Sequence, residues 1–168
     1  PSGEIRQRLG LTQNAKVIMI TAGGVPKNYG FIEKLKNQTA AHFITPGVSQ
    51  SVAIQDNLIF LPENSAFYHP DLVNASDAVI GKVGYSTIAE VYHAGIPFGY
   101  SARAHYRESE PLVNFIENKM HGFAIGQSEF NNGDWIHRIV DLLALPRVQR
   151  DTSNGSDQIA GFIANLLG

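Results

Sequence analysis

Ala78-Val79-Ile80-Gly81-Lys82-Val83-Gly84-Tyr85-Ser86-Thr87-Ile88-Ala89-Glu90-Val91 carries the decision about fold. Ala78–Gly81 is a short, unbroken apolar run, as expected of a strand covered on both faces, and the glycine-containing loop after it leads straight into a helical pattern. A strand that passes through a tight turn into a helix is the repeating unit of a parallel sheet.

Upstream, Lys16-Val17-Ile18-Met19-Ile20-Thr21 is a second continuous apolar run, closed by Gly23-Gly24, and reads as a central strand. Runs of the same kind recur at 41–45, 58–61, 98–101 and 123–125, so six strands are predicted. Between them lie helical stripes: Phe31, Ile32 and Leu35; Leu112, Phe115, Ile116 and Met120; Ile136, Ile139, Val140 and Leu143. Alternating strands and helices predict an α/β class, with a Rossmann-like open parallel sheet of about six strands and helices on both faces. A last helix through Ile159, Phe162, Ile163 and Leu166 follows a polar loop over 151–157 and is expected to pack back on the sheet. Residues 1–11 read as a lead-in carrying Ile5 and Leu9 on one face, and the whole of 1–168 reads as a single domain.

Composition narrows the function. The 168 residues hold 13 Lys plus Arg against 15 Asp plus Glu, with a net charge of −2 and no basic run, which argues against nucleic acid as a partner. No apolar stretch approaches the ~20 residues of a transmembrane segment, and no signal peptide is visible, so a soluble cytoplasmic protein is expected. The absence of cysteine excludes thiolate chemistry and disulfides. The six histidines never fall at H-x-E, H-x-H or H-E-x-x-H spacing, so no metal site is predicted, and no cofactor is implied.

In an open parallel sheet, ligands bind beyond the carboxyl ends of the strands, so the loops that follow strands are the informative ones. The first holds Gly23 and Gly24, whose missing side chains let a phosphate approach backbone N–H groups. The pair equally suits a tight turn needing positive φ, and it matches neither the dinucleotide nor the P-loop fingerprint. The second holds Gly84, Ser86 and Thr87. Ser86 or Thr87 can cap the following helix, whose first-turn N–H groups offer donors to a diphosphate. Glu90, about one turn in, suits the two hydroxyls of a ribose, or a capping acid. The third loop gathers Arg103, His105, Arg107, Glu108 and Glu110, with cations for phosphate and acids for sugar hydroxyls, or simply a solvated mixed-charge run.

Gly84-Tyr85-Ser86 also invites comparison with a hydrolase nucleophile elbow, but Ile88 stands where that strained turn needs a small residue. A small serine hydrolase is therefore a lesser alternative.

The stretch from Ala75 to Glu90, followed by Ala94-Gly95-Ile96-Pro97, resembles the C-terminal domain of GT-B glycosyltransferases. It is most like the glycosyltransferase-like half of plant-type L-arabinokinases, where a similar stretch precedes an aromatic-and-acid segment like Tyr106-Arg107-Glu108-Ser109-Glu110-Pro111. It is similar, more distantly, to the N-acetylglucosaminyl transferase of peptidoglycan synthesis and so to the glycosyltransferase 28 C-terminal type. The resemblance runs from about Glu4, through an R-x-x-L-G-L segment at Arg6–Leu11, to about Leu145. Val83 and Ser86 depart from the related pattern, where proline or serine and glycine are common at those positions.

The resemblance implies a nucleotide-sugar donor, UDP-linked by family preference, held without metal. It places Gly23 and Gly24 near the diphosphate, assigns donor groups to Gly84, Ser86 and Thr87, gives Glu90 the ribose, and puts Glu108 and Glu110 near the sugar. It also implies an N-terminal acceptor domain, not contained in 1–168, that supplies the catalytic base, so no catalytic residue is named and the chain alone is expected to be inactive. The alternative is a non-catalytic nucleotide-sugar sensor or interaction module. A face that normally meets an acceptor domain also leads us to expect self-association.

Overall fold

The computed structural model describes residues 2–21, 30–103, 106–149 and 155–167. Its strands are β1 (Val17–Thr21), β2 (His42–Ser49), β3 (Ala53–Gln55), β4 (Leu58–Pro62), β5 (Ala78–Lys82), β6 (Phe98–Ser101) and β7 (Gly122–Ala124). Its helices are α1 (Ser2–Arg8), α2 (Ile32–Lys36), α3 (His69–Asn74), α4 (Tyr85–Ala94), α5 (Ser109–Lys119), α6 (Gln127–Asn132), α7 (Ile139–Ala144) and α8 (Gly155–Leu167), with a 3-10 turn over Asp134–Arg138 before α7. The seven strands form one sheet in the order β3-β4-β2-β1-β5-β6-β7, parallel except for β3.

The unbroken apolar runs are explained by burial on both sides. Val17 and Met19 of β1 join one core with Ile44, Ile59, Val79 and Phe98, covered by α1, α3, α4 and α5. Ile18 and Ile20 point the other way, into a second core with Phe43, Leu58 and Ile80 under Phe31, Trp135 and Leu142. Strand residues alternate between faces, so a strand with both faces covered needs apolar residues at every position.

Three expectations need correction. The sheet has a seventh strand, β3, which turns antiparallel onto β4 through Asp56-Asn57. Asp56 takes the left-handed conformation there, with φ 53°, and Asn57 ties the hairpin to the end of α2 by donating from Nδ2 to Leu35 O and Gln38 O.

The helix α8 does form, but every residue in it is exposed, including Ile159, Phe162, Ile163 and Leu166, so it does not pack on the sheet. In the 136–143 stripe, Val140 faces solvent and Leu142 is buried instead. The 3-10 turn, with three residues per turn, brings Ile136 onto the side of Ile139 at the start of α7, and Leu142 is buried three positions further on. Among the described residues, no helix is long and apolar enough to cross a membrane.

The amino-terminal end of the sheet is closed by polar contacts rather than packing. Asp77, just before β5, accepts from Val17 N and from Arg6 Nη2 at 2.9 Å each through the same oxygen. Arg6 also donates to the carbonyls of Ala75, Gln13 and Ala15. Lys16 and Arg147 lie 4.0 Å from the other Asp77 oxygen. The Arg6 side chain is only 12% exposed, so this pair is poorly screened.

Arg6→Ala leaves a half-buried carboxylate and three carbonyls short of a donor. Urea unfolding of this variant is expected to show a loss of about 2–4 kcal/mol.

Candidate functional site

Chain direction reverses around β1: the path runs outward from β1 through β2 to β4, then returns to β5 on the other side of β1. Ligands of open α/β sheets bind at such a switch point, beyond the strand ends. Here the carboxyl ends of β1 and β5 lie side by side at Thr21 and Gly81, which are register partners. The backbones are close enough that a Cβ on Gly81 would sit 2.8 Å from Thr21 O and 2.8 Å from Thr21 Cγ2. Gly81 is therefore required by the sheet itself.

Gly84 is different. It is the N-cap of α4 and lies in extended backbone, φ −166° and ψ 151°, which any residue adopts. A Cβ there would meet nothing within 4 Å among the described residues. Neither strain nor packing against a described residue calls for glycine at this position, at the start of the first turn of α4. Gly84 O accepts from Ile88 N, and the preceding N–H groups of Tyr85, Ser86 and Thr87 belong to the turn that has no acceptor within its own helix. Ser86 and Thr87 do not cap this helix. They stand two and three residues past Gly84, inside the first turn, and the N-cap, Gly84, has no side chain to cap α4. Ser86 is exposed and Thr87 buried.

Glu90 lies one turn further along α4, with 22% of its side chain exposed. Its Oε2 is 2.5 Å from Nδ1 of His69, the first residue of α3. The helices α3 and α4 are packed together through Leu72, Val73, Ile88 and Val91 of the first core. Spacing does not reveal this pairing, because the two residues come from different strand-to-helix junctions. The readable signal was Tyr68-His69-Pro70, where proline in a first turn marks a helix start beyond the strand β4.

The third loop is less concentrated. Arg107, Glu108 and Glu110 are all exposed, and among the described residues none is hydrogen-bonded or ion-paired to Gly84, Ser86, Thr87 or Glu90. Glu110 lines an open groove of about 610 Å³ with Pro111, Val113, Asn114 and Glu117. Ser109 Oγ closes the loop by donating to Arg103 O at 3.1 Å. Gly23, Gly24 and His105 lie outside the described residues. Among the described residues, no three His, Asp or Glu side chains converge as a metal site.

The frame of this loop is held by Tyr100 of β6, whose hydroxyl donates to Glu117 Oε1 of α5 at 3.2 Å. Burial, then the Glu117 charge, then this hydrogen bond raise the Tyr100 pKa above its usual 10.0.

No protein-family model matches the chain. Over 160 residues, 95% of its length, it is 25% identical to L-arabinokinase of Arabidopsis thaliana, of which it spans 15%. Over 80 residues, 46% of its length, it is 28% identical to the UDP-N-acetylglucosamine--N-acetylmuramyl-(pentapeptide) pyrophosphoryl-undecaprenol N-acetylglucosamine transferase of Rickettsia akari (strain Hartford), spanning 21% of that protein. The structure of Arabidopsis thaliana UGT89C1 complexed with UDP matches 87% of this chain and 39% of its own, with a TM-score of 0.57 and 12% identity. The fold is that of the C-terminal, Rossmann-like domain of GT-B glycosyltransferases.

Two outcomes are expected from the geometry. Gly81→Ala should lose about 1–3 kcal/mol in denaturant unfolding, while Gly84→Ala should stay within about 0.5 kcal/mol of the parent. For Tyr100, the unfolded chain ionises near 10 and the folded chain only above it, so the stabilisation is full below that pH and is lost as pH rises through the folded pKa. Between about pH 9 and pH 11, Tyr100→Phe should therefore lose less stability than the parent.

Proposed function

We propose that this chain binds the nucleotide-sugar donor of a glycosyltransferase, with a UDP-sugar as the donor. The observation that carries this reading is Gly84: a glycine that neither backbone strain nor any described residue requires, placed before the first turn of α4 at the switch point. A diphosphate in that space meets N–H groups and the positive end of the helix dipole. Glu90, on the same helix and partly shielded, accepts the ribose hydroxyls. Two similarities support uridine: the name of the Rickettsia akari relative contains UDP-N-acetylglucosamine, and the matched plant structure holds UDP.

In transfer, the bond between the sugar's anomeric carbon and the diphosphate oxygen breaks while the acceptor hydroxyl bonds to that carbon and loses its proton. Negative charge collects on the departing diphosphate, where the α4 first turn stabilises it in a metal-independent scheme. The acceptor and the proton-accepting base belong to an N-terminal domain that completes the enzyme. Ser86 and Thr87 contribute donors to the diphosphate, with Gly23 and Gly24 beside it. His105, Arg107, Glu108 and Glu110 are assigned to the outer, sugar-side rim.

Calorimetric titration with UDP, UDP-sugars, ADP and GDP tests the reading. UDP is expected to bind, Glu90→Ala to weaken it by about 10- to 100-fold, and Gly84→Ala to weaken it by about tenfold without loss of stability. A folded protein that binds none of these nucleotides would overturn the proposal.

A further inference from the structure

We infer that His69 is the positioning residue for Glu90 and that it sets how strongly the site selects a ligand with ribose hydroxyls; this rests on the donor-site reading above. Glu90, when ionised, can only accept, so the 2.5 Å contact requires a proton on Nδ1 of His69, donated to Oε2. That leaves Oε1, and the remaining lone pair of Oε2, for a ligand diol.

Each partner is held on its own helix, and the two helices share a packed core, so the separation between their backbones is fixed before any ligand arrives. The His69 side chain is not spent on its own helix: the N-cap of α3 is Tyr68, with no side-chain cap. His69 and Glu90 are 37% and 22% exposed, so the pair is only partly solvated and the hydrogen bond is partly shielded from competition by water. Without His69, the glutamate regains rotamer freedom that binding must remove, and the loss falls on the hydroxyl contacts alone.

The test compares UDP with 2′,3′-dideoxy-UDP, titrated into the 168-residue chain and its variants. In the parent, UDP is expected to bind more tightly than the dideoxy compound. His69→Ala should weaken UDP by about tenfold and leave the dideoxy compound unchanged. His69→Asn, whose amide stands near the Nδ1 position, should restore most of the preference, and His69→Gln, whose amide stands further out, should not. Thermal unfolding of each variant reports whether it is folded.

Equal weakening of both ligands by His69→Ala, or an unchanged UDP affinity where Glu90→Ala weakens it, would overturn the positioning role and leave the donor site standing. A parent chain that binds no UDP would overturn both readings, whereas one that binds both ligands equally would overturn the His69 role and the ribose role of Glu90 and leave the donor site standing. Should His69→Ala not fold, the contrast between the Asn and Gln variants decides.

Discussion

The carboxylate of Asp77 is where the two central strands are brought to a common start. Its N–H donates to Val17 O at 2.7 Å while its side chain accepts from Val17 N, so one residue before β5 grips the first residue of β1 from both sides. Arg6 locks the grip by reaching from α1 to Asp77 and to three carbonyls around it. Arg147 adds a contact from the far end of the domain through Ser76 O. A slip of one residue here would exchange the two faces of β1 and send Met19 to the core that holds Ile18. The carboxyl-terminal crevice inherits this register: Thr21 meets Gly81 because Ile18 meets Ala78.

The elements that pattern reasoning finds are those whose local chemistry has a single outcome. Runs such as Val17–Thr21 and Ala78–Lys82 carry no alternation because both faces are buried, and that alone identifies central parallel strands. The strand β3 offers no such run: its three residues are partly or fully exposed, and its cue is a single aspartate that tolerates positive φ. In α8 the apolar spacing correctly gives a helix, but a stripe specifies only that a helix has an apolar side, not what covers it. Both sheet faces are already occupied by other helices, so Phe162 and Leu166 remain exposed.

The same distinction runs through the site. The position of Gly84, Ser86, Thr87 and Glu90 at one junction was legible because strand, loop and helix follow each other without interruption, so chain order is also spatial order. The assignment of the cap was not legible, since Gly84, Ser86 and Thr87 all fit near a helix start and only the backbone angles choose Gly84. His69 was invisible for a different reason. Its partner comes from the next junction, and the contact depends on how α3 leans on α4, a consequence of Leu72, Val73, Ile88 and Val91 packing rather than of any spacing. Arg6, by contrast, stood in the R-x-x-L-G-L segment with no stated role; the clamp on Asp77 supplies its physical reason.

The central position of β1 has a temporal side. One neighbour, β2, follows within the next few tens of residues, but the other, β5, lies some sixty positions downstream, as the Ile18 and Ala78 pairing shows. A growing chain on the ribosome therefore carries Ile18, Met19 and Ile20 with one flank unmatched until Asp77 and the strand after it have been made. Pairings of such long range close slowly and leave an apolar edge exposed meanwhile. The step that commits this chain to its fold is thus the arrival of β5, and until then its most apolar strand is a target for chaperones and for wrong partners alike.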